Sequence, residues 1–264
     1  MHCISYRGRE SVSSNLILIT GATGKIGQVL VQHFLSKGYS VIACGRTLET
    51  LEHLKNSLSM YSTQLFPIAA DLSIDDGSHR LLQVLKQYEL FPRYLINNAR
   101  NSSYLSVCED GFVARSNFIS ELVLDVVAPY ELTALLVDSP ESRIESVVNI
   151  GSQYGIVAQN LSLYNNPLLD SALHYGVAKA ALSHLTKELA VRYATRNIRV
   201  NCVAFGGVEG RVDESFMRRY AELSPMQRML NESELSAPVE FLLSSSASAI
   251  TGHTLIADCG WTLW

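Results

Sequence analysis

The chain has 264 residues, 47% hydrophobic and 17% charged, with a formal net charge of −4. That balance excludes a disordered chain and a polyanion-coating one, and no basic run is long enough to follow a phosphate backbone, so no nucleic-acid partner is expected. The length is sufficient to bury a large core.

Short apolar, β-branched runs alternate with longer segments of helical spacing. Leu16 to Thr20 reads as a first strand, Lys25 to Lys37 as a helix, Ser40 to Cys44 as a second strand, and a second helix starts near Leu48. Leu65 to Ala70, Tyr94 to Asn97, Ile144 to Ile150, Ile198 to Ala204 and Thr254 to Asp258 read as further strands, and Ala178, Leu182, Leu185 and Leu189 mark a long late helix. This alternation predicts an α/β, doubly wound Rossmann domain, a parallel sheet with helices on both faces. No repeat, linker or composition shift divides it: residues 1–15 are expected to be a tail and 16–264 one domain. Two segments break the rhythm, 153–173 and 208–234, and excursions beyond strand ends are where such folds place substrate.

The turn between the first strand and first helix reads Thr20-Gly-Ala-Thr-Gly-Lys-Ile-Gly27. Gly21, Gly24 and Gly27 permit a tight turn, and the helix start offers free N–H groups to a pyrophosphate; Thr23, Lys25 and Ile26 lie in the same turn. The spacing is not G-x-G-x-x-G, and glycine turns also arise for steric reasons, so the motif counts mainly because of where it sits. An acidic side chain after the second strand would bind the ribose 2′-hydroxyl of NAD; here Cys44-Gly-Arg-Thr47 has none. Arg46, with Lys25 as a second cation, suits the 2′-phosphate of NADP, so NADP(H) is expected before NAD(H); the alternative is that both are solvated surface cations.

Tyr175-Gly-Val-Ala-Lys179 places a phenol and an ammonium on one face of a helix, a turn apart. A phenol titrates near 10, and one ammonium ~4 Å away at an effective dielectric of ~20 supplies the ~4 kcal/mol that brings it to neutrality. Ser152 ends the preceding strand, where a hydroxyl can polarise a substrate oxygen or simply cap a turn.

In this order the glycine turn, Asn97-Asn-Ala-Arg100, Ser152, Tyr175-x-x-x-Lys179 and Ile250-Thr-Gly-His253 resemble the short-chain dehydrogenase/reductase family, over about Leu16 to Trp261. The resemblance implies a sheet of about seven parallel strands and a homodimer or homotetramer. It makes Tyr175 the general acid/base, Ser152 the polarising group and Lys179 the ribose-binding residue that tunes the tyrosine. It brings Asp71 and Leu72 to the adenine, Asn98 and Ala99 to the cofactor cleft, and Val208 to the nicotinamide carboxamide. Asp125 stands where the family has a catalytic asparagine, Arg100 and Cys259 where it has glycines, and Phe205 where it has a proline. An ionised aspartate cannot donate from its side chain, which puts the family's proton relay in question.

The long excursion after Ser152, with Asn-Asn-Ala-Arg, is similar to a subgroup associated with flagellin modification and surface sugars. That implies a sugar or nucleotide-activated sugar, such as a nonulosonic acid, as small-molecule substrate. Arg100, Arg211, Arg218 and Arg219 can hold its carboxylate or phosphate, and Gln153, Tyr154 and Tyr164 can line its site. The expected activity is hydride transfer between NADP(H) and a secondary alcohol or ketone; the alternatives are a sugar epimerase or dehydratase using the cofactor transiently, and a silent cofactor-binding regulator. Cys3, Cys44, Cys108, Cys202 and Cys259 are scattered and form no C-x-x-C pair, and the histidines, His174 among them, show no metal-ligand spacing, so no disulfide framework or metal is expected. The apolar run that follows Arg7 and Arg9 is too short for a signal peptide, and no stretch reaches membrane length, so a soluble, cytoplasmic protein is expected.

Overall fold

The computed structural model describes residues 15–210 and 212–264; nearly all of the expected tail, with Cys3, Arg7 and Arg9, and also Arg211, lie outside the described residues. In chain order the elements are β1 (Leu16–Thr20), α1 (Lys25–Ser36), β2 (Ser40–Gly45), α2 (Leu48–Ser57), β3 (Leu65–Ala69), α3 (Gly77–Gln87) and β4 (Tyr94–Asn97). There follow α4 (Arg115–Leu122), a π-helical turn (Val123–Val127), α5 (Ala128–Asp138), β5 (Ser146–Ser152) and α6 (Pro167–Asp170). The chain ends with α7 (Leu173–Tyr193), β6 (Arg199–Phe205), α8 (Glu214–Leu223), α9 (Ser236–Leu243) and β7 (Thr254–Ala257).

The strands form one seven-stranded sheet in the order β3-β2-β1-β4-β5-β6-β7, every pair parallel. Successive side chains of a strand face opposite ways, and β1 shows what that does. Ile17 and Ile19 pack with Leu30, Val31 and Phe34 of α1, Leu51 of α2 and Val239 and Leu242 of α9. Leu16 and Leu18 pack on the other face with Leu81 of α3, Leu132 and Leu136 of α5 and Leu189 of α7. Because both faces are covered, the strands are apolar throughout rather than alternating.

After β3 the chain crosses back over β1 to lay down β4, so the connections leave β1 and β4 on opposite faces. The crevice that opens at the strand ends there is the ligand position of a doubly wound sheet. Beneath it runs a buried polar ladder: Asn97 Nδ2 donates to Asn149 Oδ1 at 2.9 Å, and Asn149 Nδ2 to Thr186 Oγ1 at 2.9 Å. It locks β4, β5 and α7 in register below the crevice.

The strand bounds differ most at β5, expected at Ile144 to Ile150 and found at Ser146–Ser152. Ile144 is buried but precedes the ladder, whose first pairs are Ser146 with Tyr94 and with Arg199. Cys259, at a position where the family resemblance puts glycine, has φ 58°, in the left-handed region that favours glycine. Cys44, Cys202 and Cys259 are buried free thiols and Cys108 is exposed.

Candidate active site

The glycine turn is built by exclusion. Gly21 has φ 62°, and a β-carbon there would lie 2.7 Å from Ala99 Cα. One on Gly27 would lie 2.1 Å from Gly21 O, so α1 can start against the turn only without a side chain. Thr20 pins the far wall: its Oγ1 accepts from the amides of Asn98 at 2.9 Å and Ala99 at 3.0 Å. Asn98 Nδ2 returns bonds to the Thr20 and Gly21 carbonyls. Sequence reading missed Thr20, whose only signal was its place at the end of β1.

A cavity of about 290 Å³ opens at the strand ends. At one end it is lined by Gly21, Thr23, Gly24, Lys25, Ile26 and Arg46, in the middle by Asp71, Leu72, Asn98 and Ala99, and at the other end by Arg100, Tyr175 and Lys179. A glycine cradle at a helix start, an acidic residue and an apolar one midway, and an acid–base pair at the end fit an extended dinucleotide. Gly27, Asp125, Ser152, Gln153, Tyr164 and Val208 stand outside this lining.

Lys179 reaches the site from within the protein. Its Nζ donates to the Ile150 carbonyl at 3.0 Å and lies 3.0 Å from Asp125 Oδ2, with side-chain exposures of 7% for Lys179 and 2% for Asp125. Burial works to lower the pKa of the ammonium, but the Asp125 charge and Tyr175 outweigh it, so the pKa is raised and the group stays charged. Its Nζ lies 5.8 Å from the centre of the Tyr175 ring, and Arg100 Cζ lies 4.7 Å from the same centre. The single tuning ammonium expected from the sequence is thus a neutralised ion pair accompanied by a second, exposed cation.

Asp125 occupies the π-helical turn, where the extra residue per turn breaks the register of α4 before α5 begins. Four residues earlier, Glu121 is buried at 1% exposure, and its Oε1 has no hydrogen-bond partner among the described residues. Burial first, and then the Asp125 charge, push its carboxyl up to about 7, against the pull of Arg100 and Lys179. Sequence reading missed Glu121; an acidic residue one turn before Asp125 was its only trace.

Ser152 closes β5 with its hydroxyl accepting from the Tyr154 amide at 3.2 Å, which leaves the hydroxyl proton free for another acceptor. Of the two roles weighed for it, the turn cap is the one this contact describes. Gln153 is buried and accepts from the Tyr220 hydroxyl at 2.7 Å, while that oxygen accepts from the Gly207 amide. The side chain expected at the substrate joins β5 to the segment after β6 instead. Tyr164 shares a hydroxyl contact of 3.2 Å with Tyr154 and meets Phe216 edge-on, in a cluster with Tyr220 and Trp261. Arg219 donates to the Leu163 carbonyl at 2.8 Å, so it braces the two excursions against each other.

Lys25 is also committed: its Nζ donates to the Glu209 carbonyl and lies 3.1 Å from Glu232 Oε1. Arg46, just past β2, is exposed and lines the same end of the cavity as the glycine turn. Val208 forms a lone parallel bridge with Leu230, which folds the segment back beside the glycine turn. His174 is buried, with Nε2 2.7 Å from the Tyr104 carbonyl and its ring against Phe118, a packing role. Among the described residues no group of three or more His, Cys, Asp or Glu is placed to hold a metal, and no helix is long and apolar enough to cross a membrane.

The sheet order, the glycine cradle at its switch point and the cavity that runs from it to Tyr175 and Lys179 define a dinucleotide-binding oxidoreductase fold. The sequence model of the short chain dehydrogenase family matches residues 15–220, and the chain belongs to that family. It is 26% identical over 96% of its length to the whole of the post-translational flagellin modification protein A of Campylobacter coli. Among solved structures, a short chain dehydrogenase from Leptospira borgpetersenii with bound NAD+ superposes with a TM-score of 0.82 at 28% identity, covering 99% of this chain and 100% of that one. The Pseudomonas aeruginosa RhlG/NADP active-site complex does so with a TM-score of 0.82 at 28% identity, covering 96% and 98%.

Proposed function

We propose that the protein transfers hydride reversibly between NADP(H), with NAD(H) the weaker cofactor, and a secondary alcohol or ketone. The observation that carries the reading is the continuity of one cavity from the glycine cradle to Tyr175 and Lys179. The nicotinamide, when bound, supplies or accepts the hydride. Tyr175 gives its hydroxyl proton to the carbonyl oxygen as the carbon is reduced, and takes it back in the reverse direction. Ser152 donates its free hydroxyl proton to the same oxygen as charge develops there. Lys179, held by the Ile150 carbonyl and Asp125, binds the nicotinamide ribose. Asp71, Leu72, Asn98 and Ala99 line the adenine and central part of the cofactor site, with Val208 near the carboxamide.

The NADP preference rests on Arg46 and on the lack of a carboxylate after β2. A sugar or nucleotide-activated sugar as substrate is supported by the likeness to a flagellin modification protein and by Arg100 at the cavity mouth, where a guanidinium suits an anionic group. Segments 153–173 and 208–234 border the site, and the chain works as a single domain. A homodimer or homotetramer is supported by the exposed apolar side chains Ile119, Tyr130, Val177 and Val191 on α4, α5 and α7. Tyr175→Phe is expected to abolish turnover on a panel of sugar nucleotides while leaving NADPH binding within about tenfold of wild type, since one hydrogen bond is worth ~0.5–1.5 kcal/mol. Turnover at the wild-type rate in that variant would remove the mechanism.

A further inference from the structure

Lys25, Arg46, Arg100 and Lys179 are the cations that line the cavity among the described residues. Two of them are committed within the protein. Lys25 is held by the Glu209 carbonyl and Glu232, and Lys179 by the Ile150 carbonyl and Asp125. Arg46 and Arg100 have neither an ion pair nor a hydrogen bond among the described residues. Arg46 lies at the glycine-turn end, where the cofactor reading employs it. Arg100 lies at the other end, beside Tyr175, and the cofactor gives it no task.

The backbone that carries Arg100 is fastened on both sides. Before it, the Ala99 amide donates to Thr20 Oγ1 at 3.0 Å. After it, Asn101 is buried, and its Oδ1 accepts from the Ser103 amide at 3.2 Å and the Ser103 hydroxyl at 2.9 Å. The turn that follows is fixed to α7, where His174 Nε2 lies 2.7 Å from the Tyr104 carbonyl. The segment is thus set relative to Tyr175 before any ligand arrives, which lowers the ordering cost of binding. The guanidinium carbon lies over the Tyr175 ring, 4.7 Å from its centre. A cation–π contact takes up no hydrogen-bond acceptor, so the N–H donors of Arg100 stay available.

We propose that Arg100 is a specificity-determining residue that pairs with a carboxylate of the substrate: the class is an oxo or hydroxy sugar acid, rather than a neutral sugar or one charged only on its nucleotide. The spacing follows from hydrogen-bond lengths. The reacting oxygen bonds the phenol and the carboxylate bonds the guanidinium, each at ~2.7–2.9 Å. With guanidinium and ring centre 4.7 Å apart, the carboxylate carbon and the reacting carbon lie on the order of 5 Å apart, about three to four bonds. One guanidinium carries one charge, which a carboxylate matches. A phosphate dianion would bring a second negative charge to an end of the cavity where Asp125 already neutralises Lys179.

This assignment rests on the hydride-transfer reading, and its test separates the two by measuring binding rather than turnover. Calorimetry and saturation-transfer NMR on the intact protein, saturated with NADP+, compare levulinate with its methyl ester. Both carry a ketone, and levulinate adds a carboxylate at about this spacing. The acid is expected to bind about 10–100-fold more tightly than the ester, the worth of a charge-assisted hydrogen bond. Arg100→Met, at an exposed position, is expected to bind the two alike. Arg100→Lys, which keeps the charge without the planar fork, is expected to recover part of the preference.

Equal binding of acid and ester by the wild type, failure of both to bind at high millimolar concentration, or a preference that survives in Arg100→Met overturns the assignment. A loss of NADP+ affinity in Arg100→Met as large as its loss of acid affinity also overturns it, by placing the guanidinium on the cofactor. Preference for dihydroxyacetone phosphate over dihydroxyacetone, without one for levulinate over its ester, overturns the carboxylate in favour of a phosphate. Tyr175→Phe is expected to keep the acid–ester difference while losing turnover. Should it keep both, the hydride-transfer reading falls while the Arg100 contact stands, so the two failures are distinguishable.

Discussion

Asp125→Asn is the substitution that separates a structural from an accidental ion pair. The two charges lie 3.0 Å apart with almost no solvent contact, and at an effective dielectric of about 20 their attraction is about 5.5 kcal/mol. An asparagine carbonyl turned toward the ammonium would accept from it, and a hydrogen bond to a charged group returns about 2 kcal/mol. The net loss is therefore about 3.5 kcal/mol, within the ~3–5 kcal/mol usual for breaking one side of a buried pair. For a domain of this size that lowers the melting temperature by about 7–14 °C. Thermal unfolding at neutral pH, followed by circular dichroism, measures it. A second arm adds Lys179→Met: with both charges gone the double variant is expected to regain much of the loss, because the penalty lies in the unpaired ammonium rather than in the missing attraction. A melting temperature within about 2 °C of wild type for Asp125→Asn, no more than about 1 kcal/mol at this size, would refute the reasoning.

Three further outcomes are expected. Gly27→Ala puts a methyl 2.1 Å from Gly21 O, so α1 must shift; fluorescence titration should show NADPH affinity lost at least tenfold, with stability lower by about 1–3 kcal/mol. Arg46→Ser should weaken NADPH binding about 10–100-fold, the worth of a charge-assisted hydrogen bond, with NADH affinity nearly unchanged; equal losses for both would contradict the 2′-phosphate role. The Glu121 carboxyl, raised from 4.5 to about 7 in the folded state, binds a proton there that the unfolded chain has already released. Its contribution is complete below the unfolded value and is lost as pH climbs through about 7, a decline of about 3 kcal/mol over the window. Glu121→Gln should flatten urea midpoints across that range; parallel curves for the two proteins would contradict it.

The sheet was legible because its strands are buried on both faces: runs such as Leu16 to Thr20 carry their own signature. Tyr175 and Lys179 were legible because helical spacing fixes their common face, and Ser152 because a strand end fixes its height in the crevice. What escaped depends on contacts between elements distant in the chain. The Asp125–Lys179 pair joins the π-helical turn to α7, and no local pattern announces it. Glu121 looks like any polar residue of an amphipathic helix until α7 covers it. Gln153 and Tyr164 were placed near substrate by their segment alone, but Tyr220, from α8, decides where Gln153 points. Lys25 read as a free cation because its partners, Glu209 and Glu232, arrive much later in the sequence.

That tie between Lys25 and the segment after β6 has a thermodynamic consequence. The same ammonium lines the cofactor cavity and fastens a segment that borders the substrate end. A dinucleotide that draws Lys25 toward its phosphates does so at the expense of the Glu232 contact, and so changes the ordering of residues 208–234. Linkage then runs both ways: the factor by which bound cofactor alters substrate affinity must equal the factor by which bound substrate alters cofactor affinity. Lys25 lines the cavity and ties to Glu209 and Glu232, so any such coupling is expected to weaken when Lys25 is replaced.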